Sequence, residues 1–368
     1  KMGVTLGREI ERLEAEGHIS VGHRCNLNSP AQLGKVLFEE LRITGQYPEL
    51  GRPKRTRTGG YSTDAATLEM LRGVHPVVDL VLEYRQLSKL KSTYVDALPQ
   101  AVNSHTRRIH TTYKQAGSVT GRISSHDPNL QNIPIRTDLG RQIRQAFLPG
   151  VPDWILVAAD YSQIELRVLA HLSHDRALLE AFSQDQDIHA ATAAQVFGIG
   201  LNSIDAEQRR VAKAINFGVI YGLSAFGLTQ HTRLTYEESQ RFIDTYFLRY
   251  PGISDYVERT KEQARRKGYV ETMLGRRRFM SEIHSPNRSL RQAAEREAIN
   301  MPVQGTAAEI IKLAMLSVAH SLETRNFRSR MLLQVHDELI LEAPMAVSYT
   351  HLRAHETDSY LVCRLLLE

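Results

Sequence analysis

Asp160-Tyr161-Ser162-Gln163-Ile164-Glu165-Leu166-Arg167 closes the apolar run Trp154-Ile155-Leu156-Val157-Ala158-Ala159. The run predicts a buried strand from Trp154 to Ala159 that delivers Asp160, with a helix following from Gln163 to Leu172. A second run, Met331-Leu332-Leu333-Gln334-Val335, ends the same way in His336-Asp337-Glu338. Adjacent strands would bring Asp160 and Asp337 together. Two carboxylates at one sheet edge can hold two hard divalent cations about 3.5–4 Å apart, one near an attacking oxygen and one near a leaving oxygen. Mg²⁺ suits such oxygen-only ligation, with substrate phosphates completing the shell. A lone aspartate is ordinarily a turn or cap residue. The repetition of the pattern, beside a helix suited to phosphates, is what points to a site.

That helix is predicted over Ala206 to Tyr221, where Arg209, Lys213, Phe217 and Tyr221 recur every fourth residue. Each such step advances about 400°, so the four drift only about 40° per step and share one face over about 18 Å. Arg209 and Lys213 offer charge-assisted donors for a triphosphate, and Phe217 and Tyr221 offer flat surfaces for sugar and base. Lys213 is also placed to neutralise or protonate a leaving pyrophosphate. The plain alternative is an amphipathic helix with aromatics inside and cations snorkelling outward. Gly218 and Gly222 count against it, since they weaken a helix and suit close approach of another group.

The chain has 368 residues, enough for several packed units. Lys and Arg number 46 against 41 Asp and Glu, a formal charge of +5, which suits a polyanionic partner without requiring one. Only two cysteines, Cys25 and Cys363, are present, which argues against a disulfide framework and for a reducing, cytoplasmic setting. No run approaches the roughly 18 apolar residues of a membrane span, and Lys1 to Arg12 hold no signal-peptide core. Helices are predicted over Val4–Glu16, Ser29–Leu41 and Val77–Leu98, the last on the spacing of Val77, Leu80, Val81, Tyr84, Leu87 and Leu90. Arg52-Pro53-Lys54-Arg55-Thr56-Arg57-Thr58-Gly59-Gly60 reads either as a solvated loop or as a flexible tip touching phosphates. Short β-like pieces begin near His110. A helical pattern from Leu290 to Leu322 contains Pro302, which should kink or split it, and a hairpin follows.

The three stretches, with Arg209-Arg210-Val211-Ala212-Lys213-Ala214-Ile215-Asn216-Phe217-Gly218 and Tyr221-Gly222 in the middle, resemble motifs A, B and C of the family A DNA polymerases, of the large, Klenow-type fragment. The likeness extends through Asn26-Leu27-Asn28-Ser29-Pro30, Leu90-Lys91-Ser92-Thr93-Tyr94, Thr120-Gly121-Arg122, Asp127 to Pro134, Asp187-Ile188-His189 and Gln304-Gly305-Thr306-Ala307-Ala308, about residues 4 to 344. It implies an α+β, mainly helical right-hand fold: thumb over 1–108, palm with an antiparallel sheet over 109–172 and 293–344, and fingers over 173–292. Asp160 and Asp337 are then the metal ligands, with the Tyr161 carbonyl helping and Glu338 an accessory carboxylate. Two Mg²⁺ ions, with Mn²⁺ as a substitute, are the implied cofactors. Arg209 and Lys213 grip the phosphates of an incoming dNTP, with His189 and Gln163 nearby. Phe217, where some members have Tyr, implies poor acceptance of dideoxynucleotides. Tyr221 lies at the base-pair pocket beside Glu165, whose bulk would block a ribose 2′-OH.

A copying enzyme must grip every sequence alike, and the minor-groove acceptors of purine N3 and pyrimidine O2 permit that. The matching positions are Arg122, Arg296 and Gln304, with Asn129, Gln131, Asn300 and His336 along primer or template. Lys91, Lys54 and Arg55 match thumb contacts to phosphate, which add affinity without sequence preference. Away from the likeness, each is an ordinary polar surface residue. The resemblance stops after Ala343-Pro344, and 345–368 reads as a foreign tail that would uncover the palm beside Asp337. The chain starts inside the thumb, so no 3′–5′ exonuclease or 5′ nuclease activity is expected of it. The expectation is a monomeric, cytoplasmic, nucleoid-associated DNA polymerase acting on primer-template DNA and dNTPs. The alternatives are a DNA-binding remnant without turnover, or a single-subunit RNA polymerase, against which Glu165 argues.

Overall fold

Local signals start and stop the helices. Ser29 caps Pro30–Lys35 by accepting from the Gln32 N–H, with Pro30 in the first turn. Thr235 and Glu238 form a reciprocal capping box at Tyr236–Arg249. Gly22, at φ 82°, ends the first helix, Met2–Val21. The computed structural model describes residues 1–46, 53–56, 58–135, 137–222, 224–229, 232 and 234–345, the side chains of Val219 and Ile220 excepted. The predicted tail beyond Met345, with Arg52 and Arg57 of the basic loop, lies outside the described residues.

The fold is mainly helical with small antiparallel sheets, and the chain divides into two units, Lys1–Thr112 with Asp127–Phe147 and Tyr113–His126 with Leu148–Glu368. In the first unit Leu6, Leu13, Leu27, Leu33, Leu37, Val77, Val78 and Val81 form one buried cluster. Full burial of each leucine contributes roughly 1.5–3 kcal/mol. The helix read as Val77–Leu98 runs as Pro76–Leu90, widens to a π-helical turn over Lys91–Asp96 and resumes at Ala97–Gln100. A similar turn, Val36–Glu40, follows Pro30–Lys35. Apolar spacing does not distinguish the wider turn from an α turn.

The second unit carries the three-stranded sheet, in the order Trp154–Asp160, Glu338–Pro344, Arg330–Val335, antiparallel throughout. Its register runs from Trp154 opposite Pro344 to Asp160 opposite Glu338. The strand before Asp337 is therefore not adjacent to the strand before Asp160. The tight connection Val335–Glu338 pairs the two arms of the hairpin, and it is the returning arm that takes up the register with Trp154–Asp160 and so lies between those two strands. The helix Ile164–Ser173 leaves the sheet into a core of Ile164, Leu166, Val168, Leu169, Tyr246, Ile253, Ile299 and Val303.

Pro302 does not split its segment. Arg288–Thr324 is one helix of 37 residues with Pro302 inside it. The lost N–H costs a bond, but Met301, Pro302 and Val303 are all buried, and packing holds the segment together.

Candidate active site

The turn Val335–Glu338 brings the two aspartates to one end of the sheet. The Tyr161 N–H donates to the Asp337 carbonyl at 3.1 Å, so the residues following Asp160 lie against the turn. His336 there has φ 56°, a left-handed conformation common in tight turns. Gln334 fastens the turn by donating its side-chain amide to the His336 carbonyl. Its own backbone is fixed by Tyr113, whose hydroxyl donates to the Gln334 carbonyl and accepts from its N–H, each at 2.9 Å.

The acidic cluster is electrostatically unfavourable as it stands. Partial burial, then the negative charges of Asp337 and Glu338, hold the Asp160 carboxyl above its ordinary value. Asp337 Oδ1 is buried with no hydrogen-bond partner. Its nearest cation, Arg122 Nη2, stands 3.7 Å away, outside hydrogen-bond distance. An orphaned carboxylate oxygen beside mutually repelling carboxylates fits a divalent cation. Among the described residues no three His, Cys, Asp or Glu side chains form a ligand shell. Any cation here would take its remaining ligands from backbone, substrate or water.

Behind the aspartates sits a charged network. Glu165, 5% exposed, accepts from Arg122 Nη2 at 2.5 Å and from the Tyr221 hydroxyl at 3.3 Å. Burial outweighs the Arg122 charge and keeps the Glu165 carboxyl above its usual range. Gln304 lies within hydrogen-bonding influence of both Glu165 and Tyr221. Tyr221 remains 43% exposed. Gly222, just past the helix Ala206–Ile220 rather than within it, has φ 65°, and a Cβ there would meet Arg296 Cγ at 2.6 Å. The close approach inferred at this glycine is made by Arg296 of the long helix. Asn300, one turn on, has its side-chain oxygen buried without a hydrogen-bond partner.

At the other end of Ala206–Ile220, Arg209 and Lys213 are exposed. Arg209 Nε donates to Asp187 Oδ2 at 2.8 Å, while Asp187 Oδ1 caps Ile188–Phe197 through the N–H groups of His189 and Ala190. His189 is 3% exposed, with its ring centroid 5.6 Å from that of Phe217. Its Nδ1 lies 3.2 Å from Asn216 Nδ2, and Asn216 is in turn bonded to Thr192. Burial, then the positive charges of Arg209 and Lys213, push the His189 ring down to about 4, against the opposing pull of Asp187. It is a neutral imidazole near neutrality. Gln163 occupies a left-handed backbone position, φ 57°, between strand and helix.

The remaining candidates belong to the first unit. Lys54 Nζ is 2.8 Å from Asp64 Oδ2 and Lys91 Nζ 2.6 Å from Asp96 Oδ2. Arg55 stacks on Tyr61 at 3.9 Å and donates to the Gly59 carbonyl at 2.9 Å. The loop read as a flexible tip thus closes, in its described part, as a bridged turn from Arg55 to Tyr61. Asn129 accepts from the Gln131 N–H at 2.9 Å, a local Asx turn. Sequence reading missed Tyr113, Asn216 and Thr192, which fix the site through partners tens to hundreds of residues away; nothing local in the sequence marks them.

Comparison with known proteins gives a consistent picture. The family model for DNA polymerase family A matches residues 1–355, beginning before residue 4 and running past Pro344, the bounds expected from the sequence. The chain is 52% identical over 343 residues to the thermostable DNA polymerase I of Thermus aquaticus, covering 93% of this chain and 40% of that protein. It is 48% identical over 344 residues to DNA polymerase I of Bacillus subtilis, covering 94% and 38%. The chain thus spans about two fifths of the length of these relatives. The solved structure of the POL domain of Pol1 from M. smegmatis, in complex with DNA primer-template and dNTP, superposes with a TM-score of 0.87 at 43% identity, over 95% of this chain and 60% of that one.

Proposed function

The chain belongs to DNA polymerase family A, and from that premise we propose that it extends a DNA primer by template-directed addition of dNTPs, with release of pyrophosphate. The observation that carries this reading is the meeting of Asp160 and Asp337 at one sheet end with an unpartnered buried oxygen on Asp337. The primer 3′-hydroxyl attacks the α-phosphate of the dNTP, the α–β bridging bond breaks, and the electron pair leaves on pyrophosphate.

Asp160, Asp337 and the Tyr161 carbonyl would hold Mg²⁺, with Mn²⁺ as a substitute; when bound, two such ions supply charge neutralisation at the attacking and leaving oxygens. The chain's own groups do the rest. Arg209 and Lys213 draw the phosphates to the exposed face of Ala206–Ile220, and Lys213 is the donor of a proton or charge to the leaving group. His189, neutral and held by Asn216, offers a hydrogen bond without adding charge. Tyr221 and Phe217 carry base and sugar, and Glu165, fixed by Tyr221 and Arg122, fills the space a 2′-hydroxyl would need. Arg122, Arg296, Gln304, Asn129, Gln131, Asn300 and His336 face the primer and template; Lys91, Lys54 and Arg55 add phosphate contacts.

Primer extension with and without Mg²⁺, alongside a gel-shift assay, tests the proposal. Asp160→Ala and Asp337→Ala should each abolish extension while primer-template binding survives. Near-normal rates in both would refute the metal assignment, and binding without extension by the unsubstituted chain would favour a DNA-binding remnant.

A further inference from the structure

The turn Thr120-Gly121-Arg122 is walled by a guanidinium from a separate hairpin. Strands Tyr269–Glu271 and Arg277–Phe279 pair antiparallel, and their turn is closed by the Thr272 N–H donating to the Arg276 carbonyl at 2.9 Å. The hairpin docks on the long helix, where Thr306 Oγ1 accepts from the Met273 N–H at 3.1 Å. A Cβ at Gly305 would stand 2.5 Å from Thr272 Cγ2 and 3.4 Å from the Thr120 carbonyl. Hairpin and turn therefore meet at one point on the helix, where a Cβ would clash with the hairpin's Thr272 and just touch the turn's Thr120 carbonyl.

From this junction Arg276 Nε donates to Glu309 Oε1 at 3.1 Å. Glu309 is 8% exposed, and its second oxygen is buried without a hydrogen-bond partner. The other side of the guanidinium lies against Gly121: Nε, Cζ and Nη2 stand 2.7, 2.9 and 3.2 Å from where a Cβ would be, and φ there is +81°. The next residue is Arg122, whose Nη2 reaches Glu165 and approaches Asp337. A half-satisfied buried carboxylate is poor value for stability, since desolvation offsets the attraction of the pair. It does fix where the guanidinium stands.

We propose that Arg276 and Glu309 are positioning residues for the reaction: their ion pair sets the Gly121 backbone so that Arg122 is held at Glu165 and Asp337. The role rests on the polymerase reading above. A guanidinium this close to Gly121 narrows the room in which the turn can move, and with it the positions open to the cation beside the acidic cluster. Loosening it would misplace a group at the reacting end, an error that costs rate rather than affinity.

The test uses the full chain with Arg276→Gln and Glu309→Gln. For both, kcat for primer extension should fall about tenfold with KM for dNTP changed less than about twofold. Arg276→Lys should recover little, because an ammonium lacks the planar fork. In an Arg122→Ala background, Arg276→Gln should cause no further loss. Equal fold-losses in both backgrounds would overturn the proposal, as a general structural role would be additive. Amide exchange of a peptide spanning residues 118 to 123 gives an independent arm, and Arg276→Gln should speed it; unchanged exchange also overturns the proposal. If the unsubstituted chain fails to extend primers, the polymerase reading falls, and the exchange arm still decides the positioning role.

Discussion

His189 gives the clearest pH signature in this fold. It is 3% exposed, and its ring is pushed from 6.5 down to about 4 by burial first and then by Arg209 and Lys213. The folded chain keeps the ring neutral where the unfolded chain would protonate it. Stability from this group is fully present above about pH 6.5 and is lost as pH falls toward about 4. Between about pH 7 and about pH 5 the loss from His189 alone comes to about 2 kcal/mol. The perturbation is His189→Asn, whose carboxamide oxygen can still accept from the Asn216 amide in place of Nδ1. Urea unfolding is followed by Trp154, the single tryptophan, 8% exposed at the start of the edge strand Trp154–Asp160. The variant loses packing at every pH, but its stability should fall about 2 kcal/mol less than wild type over that interval. Other titrating groups, including Asp160 and Glu165, contribute to both proteins and cancel in the difference. Parallel pH profiles for the two chains would refute the claim that this imidazole is buried neutral between cations.

Two further outcomes follow from the geometry. Glu165→Ala removes the carboxylate held by Tyr221 and Arg122, and the ratio of dNTP to rNTP kcat/KM should fall by at least about tenfold; an unchanged ratio means another group excludes the 2′-hydroxyl. Gly222→Ala places a Cβ 2.6 Å from Arg296 Cγ at φ 65°, so it should cost about 1–3 kcal/mol and raise KM for primer-template. A wild-type melting temperature would show that the helix end and Arg296 separate freely.

The aspartates and the cation–aromatic helix were legible because their signals are local. Asp160 ends a strand whose apolar run is contiguous, and Arg209, Lys213, Phe217 and Tyr221 are tied by helical period alone. The exposed positions of Arg209 and Lys213 and the half-buried one of Phe217 follow from that period. Tyr221 lies one residue past the assigned helix, where its N–H still bonds to the carbonyls of Phe217 and Gly218. Lys54, Arg55 and Lys91 read as phosphate contacts, and each also has an intramolecular partner that composition, which reports charge and not neighbours, does not reveal. Pro302 read as a helix breaker; propensity prices one missing bond and cannot weigh it against the burial of Met301 and Val303.

By itself, the sequence determined the strand that ends at Asp160, the hairpin around Asp337, the helix face that carries Arg209, Lys213 and Phe217, and the family to which they belong. Tertiary structure alone decided that Glu338–Pro344 lies between the two aspartate strands, that His189 is uncharged, that Arg122 is clasped by Glu165, and that Arg276 of a distant hairpin, paired with Glu309 of the long helix, lies against Gly121. The division is physical: periodicity and capping act within a few residues, whereas protonation and ion pairing depend on which groups folding brings within a few ångströms and how much water it removes.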